Sequence, residues 1–528
     1  MEPACIRHSE LPHTTALFSD YIYHFDRVSQ FYRWNPAQLE SFSQAAAGVD
    51  FPIEHRAALV QVLAEQNGPS PALELLAQPG TVVVATGQQA GLFSGPCYTI
   101  YKALTAARLA ERLHASGIPA APVFWMATED HDFEEAAHCW VFNAALQPSR
   151  LAVAQRPEHA SRPVGALPVD SAPLEGLRTA LGGFPFGEEV SGWVSEAYAP
   201  GATFGSGFRT LLRRLLAPFG ILFLDPLGPG ERRLGAPLLR RAVERMPELS
   251  RGLIERSTGL ATAGYHAQVH LEKDTSLVFL LEGGRRLALR RGNTQFTANG
   301  RQFTAAELAD RAESLSPNAL LRPVLQDYIL PTAAFVAGPA EITYLAQSAV
   351  LYEDLLGRMP VIVPRQAFTL LDARAEKLMR RYRLSLPEFF HGEEALRARV
   401  AATLTPATLD RALEAARSSV DDPLSRLRES LLGFDPTLAA AFDTSRRKIA
   451  YQLSKIQAKA RREALRRDQR AQHDAAYLSA LLLPQRHLQE RFYSILPFLA
   501  QHGPDLLPHL YQSIDLDCRD HRLLTLPA

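Results

Sequence analysis

Residues 81–113 read TVVVATGQQAGLFSGPCYTIYKALTAARLAERL, and this stretch indicates the fold class. The apolar run at 82–85 is short and continuous, as in a strand that is buried on both faces of a parallel sheet. A glycine-rich loop follows at 86–96, and after it apolar residues recur at helical spacing. A buried strand, a glycine-rich turn and a helix form half of a βαβ unit, so the segment favours an α/β fold.

Four later apolar runs repeat this pattern. They are APVFWMA at 121–127, GILFLDP at 220–226, AAFVAG at 333–338 and PVIVPR at 360–365. Helices are expected around 230–246 and from Pro339 onwards, because helical spacing follows these runs. Strands that alternate with helices predict a doubly wound parallel sheet of five strands.

Two insertions interrupt the predicted sheet, at about 145–215 and 247–315. The second contains SLVFLLE and RRLALRR on either side of Gly283 and Gly284, a dipeptide typical of a tight hairpin turn. Together with these insertions, residues 1–370 are expected to form the core of the protein.

The chain changes character after the core. From 371 to 482 the strand patterns vanish, and apolar residues recur at spacings of three and four. This predicts an antiparallel coiled-coil arm, with amphipathic helices packed on the core as the alternative. The segment 483–528 regains aromatic and apolar residues and is expected to pack back on the core.

Composition narrows the class of protein. Of 528 residues, 47% are apolar and 21% charged, and 56 basic residues cancel 56 acidic ones. These values exclude a disordered chain, and the zero net charge disfavours nucleic acid or a membrane as partner. Four cysteines without CxxC spacing, no signal-peptide pattern and no apolar stretch of 18 residues predict a cytoplasmic protein with reduced thiols.

Polar residues collect where the predicted strands end, at the edge where open α/β sheets bind ligands. In and after the glycine-rich loop they are Thr86, Gly87, Gln88, Gln89, Gly91, Gly95, Tyr98 and Lys102. Glycines let backbone N–H groups approach a ligand, and the start of the next helix favours an anion. The loop matches neither GxGxxG nor the P-loop pattern, so a purely structural turn is the alternative.

The second predicted strand ends in an acidic run, Glu129, Asp130, His131 and Asp132. Carboxylates around a histidine are costly to bury, because like charges repel and lose their hydration. They suit acid–base catalysis through the histidine, a Mg²⁺ ion or an ammonium group, whereas a helix cap or a solvated turn is the structural alternative. Zinc ligation by His131, His138 and Cys139 fits no standard spacing, so we assign no metal ligands.

Three further groups lie at predicted strand or helix ends. They are Arg322, Gln326 and Asp327 in SPNALLRPVLQD, Gly338, Glu341 and Tyr344 in GPAEITY, and Arg365 after the fifth strand. Taken singly, a group of residues of this kind more often has a structural role than a functional one. Their shared position at one edge of the predicted sheet is the reason to regard them as part of a binding site.

The blocks TGQQAGLFSGPCYTIYK (86–102) and FWMATEDHDFEE (124–135) resemble the cysteine-adding enzyme of bacillithiol biosynthesis, a family of cysteine ligases. The later blocks SPNALLRPVLQDYILP, FVAGPAEITYLAQ and MPVIVPRQAFTLL are similar to the same family in the same order. This resemblance implies a Rossmann-like core with two connecting insertions and a coiled-coil domain that forms a homodimer. It also implies ligation of the cysteine carboxylate to the amine of glucosaminyl-malate, with a site for ATP.

Within such a ligase the candidate residues take specific roles. We expect ATP phosphates or the substrate malate on the glycine-rich loop, with Lys102 and Arg365 offsetting their charge. Asp130 and Asp132 are expected to hold the substrate ammonium or Mg²⁺, and His131 to deprotonate the glucosamine amine.

The resemblance also relates the core to nucleotidyl-transferring synthetases, but two of their sequence signatures are missing. The route by which the cysteine carboxylate is activated is therefore left open. Neither an HxGH signature nor a KMSKS-like loop is present. A non-catalytic nucleotide-binding accessory protein that assembles through its arm is the main alternative. A tRNA-linked synthetase relative is disfavoured by the zero net charge and the missing signatures.

Overall fold

The computed structural model describes residues 4–292 and 295–527. This part of the chain divides into two compact units. The first comprises the described residues of 1–369 and 490–524, and the second those of 370–489 and 525–528. The five strands predicted for the sheet lie in the first unit, and the helices predicted for the arm lie in the second.

The strands of the described chain are, from β1 to β15, Ala4–Ile6, Val82–Gln89, Ala120–Ala127, His138–Phe142, Pro148–Ala152, Leu222–Leu224, Thr275–Glu282, Arg285–Arg291, Gln295–Ala298, Arg301–Thr304, Leu315–Pro317, Thr332–Ala337, Val361–Pro364, Phe368–Leu371 and His521–Thr525. Its α-helices are, from α1 to α22, Ala16–Tyr23, Leu39–Ala47, Ile53–Asn67, Pro71–Ala77, Tyr98–Ala115, Phe133–Ala136, Ala172–Leu181, Gly187–Ala197, Phe204–Leu216, Pro229–Glu244, Met246–Thr262, Ala305–Asp310, Arg322–Ile329, Pro339–Leu356, Ala373–Tyr382, Glu393–Leu404, Ala407–Phe434, Pro436–Arg467, Gln469–Leu482, Gln489–Phe492, Leu496–His502 and Leu506–Gln512.

The central sheet of the first unit contains the five predicted strands, all parallel. Their spatial order is β13-β12-β2-β3-β6. In order along the chain this is 5-4-1-2-3, the arrangement of a Rossmann-like sheet. The order reverses between β2 and β12, and ligands of open α/β sheets bind outside the carboxyl ends of strands at such a point. The predicted fold class is therefore confirmed.

Alternate residues of β2 pack into opposite helical layers. Val83 and Ala85 belong to a hydrophobic cluster with residues of α3, α10 and α14. Val82 and Val84 belong to a second cluster with residues of α2 and α5. Because successive side chains of a strand point to opposite faces, a sheet covered on both sides needs apolar residues throughout. This explains the unbroken apolar run at 82–85.

The two insertions form their own substructures. In the second insertion β7 and β8 pair antiparallel around Gly283 and Gly284, which have φ angles of 58° and 73°, as a tight hairpin turn requires. This confirms the predicted hairpin, which belongs to the five-stranded sheet β10-β9-β8-β7-β11. The first insertion contains helices α7, α8 and α9, which its weak periodicity did not reveal.

The second unit contains the predicted antiparallel helical pair, α17 and α18. Ion pairs join the two helices in reverse sequence order, as antiparallel packing requires. Near the turn Arg428 Nε donates to Asp443 Oδ1 at 2.7 Å, and farther from it Arg446 Nη2 donates to Asp421 Oδ1 at 2.6 Å. Among the described residues, no helix is both long and apolar enough to cross a membrane.

Candidate functional site

A cleft of about 500 Å³ lies at the carboxyl ends of the central strands, where the strand order reverses between β2 and β12. Many of the residues singled out in the sequence line it: Gly87, Gln88, Gln89, Tyr98, Lys102, Glu129, Asp130, His131, Arg322, Gly338, Glu341, Tyr344 and Arg365. The structure therefore brings together side chains that are up to 278 positions apart in the sequence, from Gly87 to Arg365.

Strand β2 is longer than the sequence suggested and includes Gly87, Gln88 and Gln89. These residues pair with β3 in parallel register, so they are strand residues rather than the start of the loop. A Cβ atom on Gly87 would lie 2.6 Å from the carbonyl oxygen of Trp125. Glycine is required there because the backbone of β3 passes too close for any side chain.

The Lys102 side chain is buried in the cleft, with only 3% of its surface exposed. Its ammonium donates to the carbonyl oxygen of Gly87 at 2.7 Å and to Gln88 Oε1 at 3.1 Å, and it forms an ion pair with Glu341. Burial lowers the pKa of Lys102, while the Glu341 carboxylate opposes that shift. The ammonium is thus a desolvated charge held by three oxygen acceptors.

Glu341 lies in the first turn of α14 and links that helix to Lys102. The backbone N–H of Gly338 donates to Glu341 Oε2 at 2.7 Å. Pro339 and Ala340 line the cleft beside it. The start of a long helix is therefore directed at the cleft, where its free N–H groups favour an anion.

Arg322 provides a second cation in the cleft. Its Nη2 donates to the Tyr344 hydroxyl at 3.0 Å and its Nη1 to Gln326 Oε1 at 3.3 Å. Burial alone would lower the pKa of Arg322, but Tyr344 and Glu341 outweigh that effect and raise it. Arg322 therefore stays charged beside the cleft.

Gln326 and Asp327 are fully buried and do not line the cleft. Gln326 Nε2 donates to Asp327 Oδ1 at 3.1 Å, and Asp327 also accepts from the Tyr352 hydroxyl. Both residues support Arg322 from behind, through Gln326. The sequence placed them in the binding site, whereas the structure places them one layer deeper.

Arg365 lines the cleft, but its charge is already paired. Its Nη1 and Nη2 donate to the two carboxylate oxygens of Glu490 at 2.8 and 2.6 Å, and both side chains are buried. Burial alone would raise the pKa of Glu490, but the Arg365 guanidinium holds it below its usual value. Arg365 is consequently much less available to offset ligand charge than the sequence suggested.

The acidic run after β3 divides among different contacts. Glu129 is buried, and it forms an ion pair with Arg232 Nη1 at 2.6 Å. Burial raises the pKa of Glu129, with Arg232 opposing the shift. Asp130 accepts from the backbone N–H of His131 at 2.7 Å. Asp132 does not line the cleft but caps α6, where its Oδ1 accepts from the Glu135 N–H at 3.1 Å.

Arg286, which the sequence did not single out, holds His131. The Arg286 Nη1 atom lies 2.9 Å from His131 Nδ1, and the guanidinium lies 3.9 Å from the centre of the Phe279 ring. Its Nε donates to Ser316 Oγ at 3.0 Å, and its Nη2 to the carbonyl oxygen of Pro317 at 2.7 Å. Burial and the Arg286 charge lower the pKa of His131, against the effect of Asp130 and Asp132.

The other side chains that the sequence did not reveal come from several segments: Trp125, Glu135, Phe279, Asn318 and Arg491. Burial and the carboxylates of Asp132 and Asp130 raise the pKa of Glu135, and Arg491 opposes them. Glu135 has a local signal, since it stands five residues after Asp130 in the quoted acidic block, and Asn318 also stands in a quoted block, SPNALLRPVLQD. Arg286, Glu490 and Arg491 carry no such signal.

Three candidates from the glycine-rich stretch lie outside the cleft. Thr86 is buried, and its hydroxyl donates to the carbonyl oxygen of Val336 at 2.9 Å, joining β2 to β12. Gly91 and Gly95 belong to a loop that packs inward, since Leu92 and Phe93 are fully buried. The loop is therefore part of the core, and the ligand-facing backbone is that of Gly87 instead.

Among the described residues, no group of three or more His, Cys, Asp or Glu side chains is arranged to hold a metal ion. Of the three residues considered for zinc, His138 contacts the carbonyl oxygen of Glu134 through its ring Nδ1 at 2.9 Å.

Comparisons with known proteins agree on one family. A family model described as "Bacillithiol biosynthesis BshC, N-terminal Rossmann-like domain" matches residues 1–366. A second, described as "Bacillithiol biosynthesis BshC, C-terminal coiled-coil domain", matches residues 368–526. Together the two models cover nearly the whole chain.

Curated relatives match over the full length. A Solibacter usitatus protein is 54% identical over 524 residues, which cover 99% of this chain and 100% of the relative. A Koribacter versatilis protein is 35% identical, with 99% and 100% covered, and a Salinibacter ruber protein is 32% identical, with 96% of each covered. All three carry the name "Putative cysteine ligase BshC".

Proposed function

The chain belongs to the bacillithiol biosynthesis BshC family, and from this premise we propose that it is a ligase that acts on cysteine. In the proposed reaction the cysteine carboxylate forms an amide with the amine of glucosaminyl-malate, as the last step of bacillithiol biosynthesis. The names of the relatives support the ligase and its cysteine substrate. The charges in the cleft support the second substrate, as follows.

The observation that carries this proposal is that cationic and carboxylate side chains share the cleft, partly as ion pairs: Lys102 with Glu341 and Arg286 with Asp130. Lys102 and Arg322 are cations near the β12 end, where the start of α14 also favours anions. Asp130 and Glu135 are carboxylates after β3. Glucosaminyl-malate has malate carboxylates at one end and an ammonium group at the other, so it offers a partner to both kinds of side chain.

Amide formation from a free carboxylate needs activation, for which we propose ATP with Mg²⁺ as co-substrate. Activation forms an acyl-adenylate with release of pyrophosphate, or an acyl-phosphate with release of ADP. We place the phosphates at the start of α14, near the charges of Lys102 and Arg322. Mg²⁺ bound to phosphates needs only one or two protein carboxylates, and Asp130 is the candidate.

The contact between Arg286 and His131 favours a donor role for this histidine. A guanidinium can only donate, so His131 Nδ1 must accept, and the neutral ring then carries its hydrogen on Nε2. With Nδ1 occupied, His131 has no free lone pair for a proton. We therefore propose that its Nε2–H donates to a substrate oxygen, in place of the base role expected from the sequence.

In place of His131, we propose Glu135 as the group that accepts the proton of the substrate ammonium. Its carboxyl lines the cleft, and burial together with the nearby carboxylates raises its pKa. A raised pKa makes the ionised carboxylate a stronger base for the proton of the substrate ammonium. Asp130 is a weaker candidate, because it already accepts from the His131 N–H and contacts Arg286 at 3.4 Å.

The arm supports a homodimer, which we propose as the working form. Apolar side chains of α17 and α18 remain exposed beside the seam between the two helices, among them Leu427 at 47%, Ile449 at 39% and Ile456 at 53%. A second arm covering them would complete a four-helix seam. We expect the protein in the cytoplasm, as its cysteine content predicts.

Mass spectrometry of the complete reaction tests the proposed function. The purified chain is mixed with ATP, Mg²⁺, cysteine and glucosaminyl-malate, and each component is omitted in turn. Bacillithiol that forms only in the complete mixture, together with AMP or ADP, is the expected result. Binding of nucleotide without any product would instead support the alternative of a non-catalytic accessory protein.

A further inference from the structure

Two of the four cysteines meet at the ends of the chain. The sulfur atoms of Cys5 and Cys518 are 3.7 Å apart, although the residues are separated by 513 positions. Cys5 is exposed and Cys518 is half-buried, whereas Cys97 and Cys139 are buried. A reagent in solution can therefore reach the first pair far more readily than the other two thiols.

The backbone holds both cysteines in place without a covalent bond between them. Strand β1 pairs antiparallel with β15, which sets Cys5 opposite Arg522. Cys518 stands in the turn before β15, where its N–H donates to Asp515 Oδ1 at 3.3 Å. The short distance between the sulfurs is thus a consequence of the fold.

We propose that Cys5 and Cys518 form a thiol–disulfide exchange site, which low-molecular-weight disulfides oxidise to an intramolecular disulfide. In the first step one thiolate attacks a sulfur of the small disulfide, forms a mixed disulfide and releases one small thiolate. In the second step the other protein thiolate attacks the protein sulfur of that mixed disulfide and releases the second small thiolate. Two protein thiols are oxidised, one small disulfide is reduced to two thiols, and the two protons pass to the released thiolates.

The surroundings of Cys5 determine how this exchange depends on pH. Burial of its sulfur and the hydrogen bond with Cys518 raise the pKa of Cys5 to about 11, while Arg522 opposes the shift. Cys5 is therefore protonated at neutral pH, and its attack on a small disulfide becomes faster as the pH rises.

The site is connected to the cleft through one residue. The turn that contains Cys518 is bonded at both ends to Gln366: the Asp515 N–H donates to Gln366 Oε1 at 3.2 Å, and Gln366 Nε2 donates to the carbonyl oxygen of Asp520 at 3.4 Å. Gln366 follows Arg365, which lines the cleft. If the chain makes a thiol, the oxidised form of that thiol belongs to the class of oxidant that this site accepts. This last reading rests on the proposed function, whereas the exchange chemistry does not.

The test uses the full-length reduced protein, with cystine as the small disulfide and no ligase substrates other than the cysteine that exchange releases. After alkylation of free thiols, mass spectrometry should find a protein that has lost two hydrogen masses and a cross-linked peptide pair containing Cys5 and Cys518. Cys97 and Cys139 should become alkylated only after denaturation.

The variants Cys5→Ser and Cys518→Ser provide the matched controls. Each should gain a single cysteinyl adduct on the remaining thiol of the pair, because the resolving thiol is absent. Two stable adducts on the wild-type protein, no reaction with cystine, or a cross-link through Cys97 or Cys139 would overturn the proposal. Since no ligation is measured, failure of the proposed function leaves this result unaffected.

Discussion

Lys102 and Glu341 form the ion pair on which the charge of the cleft depends. The lysine comes from α5 and the glutamate from α14, so the pair joins the helices that follow β2 and β12. Burial of a charge is costly unless a partner compensates it. The pair therefore fixes both the local structure and the position of the ammonium that we assign to ligand binding.

Replacement of Glu341 tests this dependence. Glu341→Gln leaves the buried Lys102 ammonium without a carboxylate, which is expected to lower the free energy of unfolding by about 3 kcal/mol. The double variant Lys102→Met/Glu341→Gln has no buried charge and should regain most of that stability without regaining turnover. Chemical denaturation of the two proteins makes the comparison. Equal stability of Glu341→Gln and the wild type would show that the pair does not hold the site.

Two amide substitutions at His131 distinguish a role as hydrogen-bond donor from a role as general base. A glutamine at 131 places an N–H donor near the position of Nε2, whereas an asparagine places it near Nδ1. If His131 donates through Nε2, His131→Gln should retain about a tenth of the wild-type kcat, and His131→Asn should lose a hundredfold or more, in the range of a single lost transition-state donor. If both variants lost activity equally, and their residual rate no longer fell at acidic pH, His131 would be the base instead.

Two buried histidines, His8 in the turn after β1 and His521 in β15, give this part of the fold a pH dependence. His8 lies beside His521, with ring centres 6.3 Å apart, and Glu490 and Arg365 also influence its charge. Burial and the nearby His521 lower the pKa of His8 to about 3. His8 is therefore neutral in the folded protein, but it binds a proton in the unfolded chain once the pH falls below about 6.5.

Acidification should destabilise this element in a predictable direction. Between the unfolded pKa of about 6.5 and the folded pKa of about 3, the unfolded chain binds more protons, so stability rises with pH and is lost on acidification. His8 alone contributes at most about 1.4 kcal/mol per pH unit in this window. The denaturation midpoint of His8→Asn should depend less steeply on pH between about 6 and about 4, inside that window, than that of the wild type. Identical slopes would mean that His8 is not neutral in the fold.

The elements were largely predictable, because buried parallel strands leave a continuous apolar signal. All five strands of the central sheet and the hairpin at Gly283 were found in this way. The extension of β2 through Gly87, Gln88 and Gln89 was not, since polar residues and glycine have low strand propensity. Only pairing with the neighbouring strand makes them part of the sheet.

The residues that line the cleft were found mainly in or after strands of the sheet, although Arg322, in the helix before β12, was also singled out. Lys102 and Glu341 belong to helices that begin at the edge of the sheet, and the rule for ligand positions in α/β sheets identified them. Arg286 and Glu490 come from an insertion and from a distant segment, so no local pattern connects them to the cleft. Glu490 also explains why Arg365, although it lines the cleft, has its charge already paired.

At the scale of the whole molecule, the exposed apolar residues of the arm predict the state in solution. Light scattering coupled to size exclusion should give twice the chain mass of 58.3 kDa. The variant Ile449→Glu places a charge among these residues and should shift the protein towards the monomer, whereas Arg466→Glu on the exposed helix end should not. A wild-type protein that is monomeric at micromolar concentration would contradict the proposed homodimer.

The central claim is that the cysteine carboxylate is activated and then captured by the amine of glucosaminyl-malate. The most direct measurement uses cysteine labelled with ¹⁸O in both carboxylate oxygens, followed by mass spectrometry of all products. One labelled oxygen should remain in the amide, and the other should appear in AMP for an acyl-adenylate or in phosphate for an acyl-phosphate. An amide product without label in AMP or phosphate, or no amide at all in the complete mixture, would contradict the account.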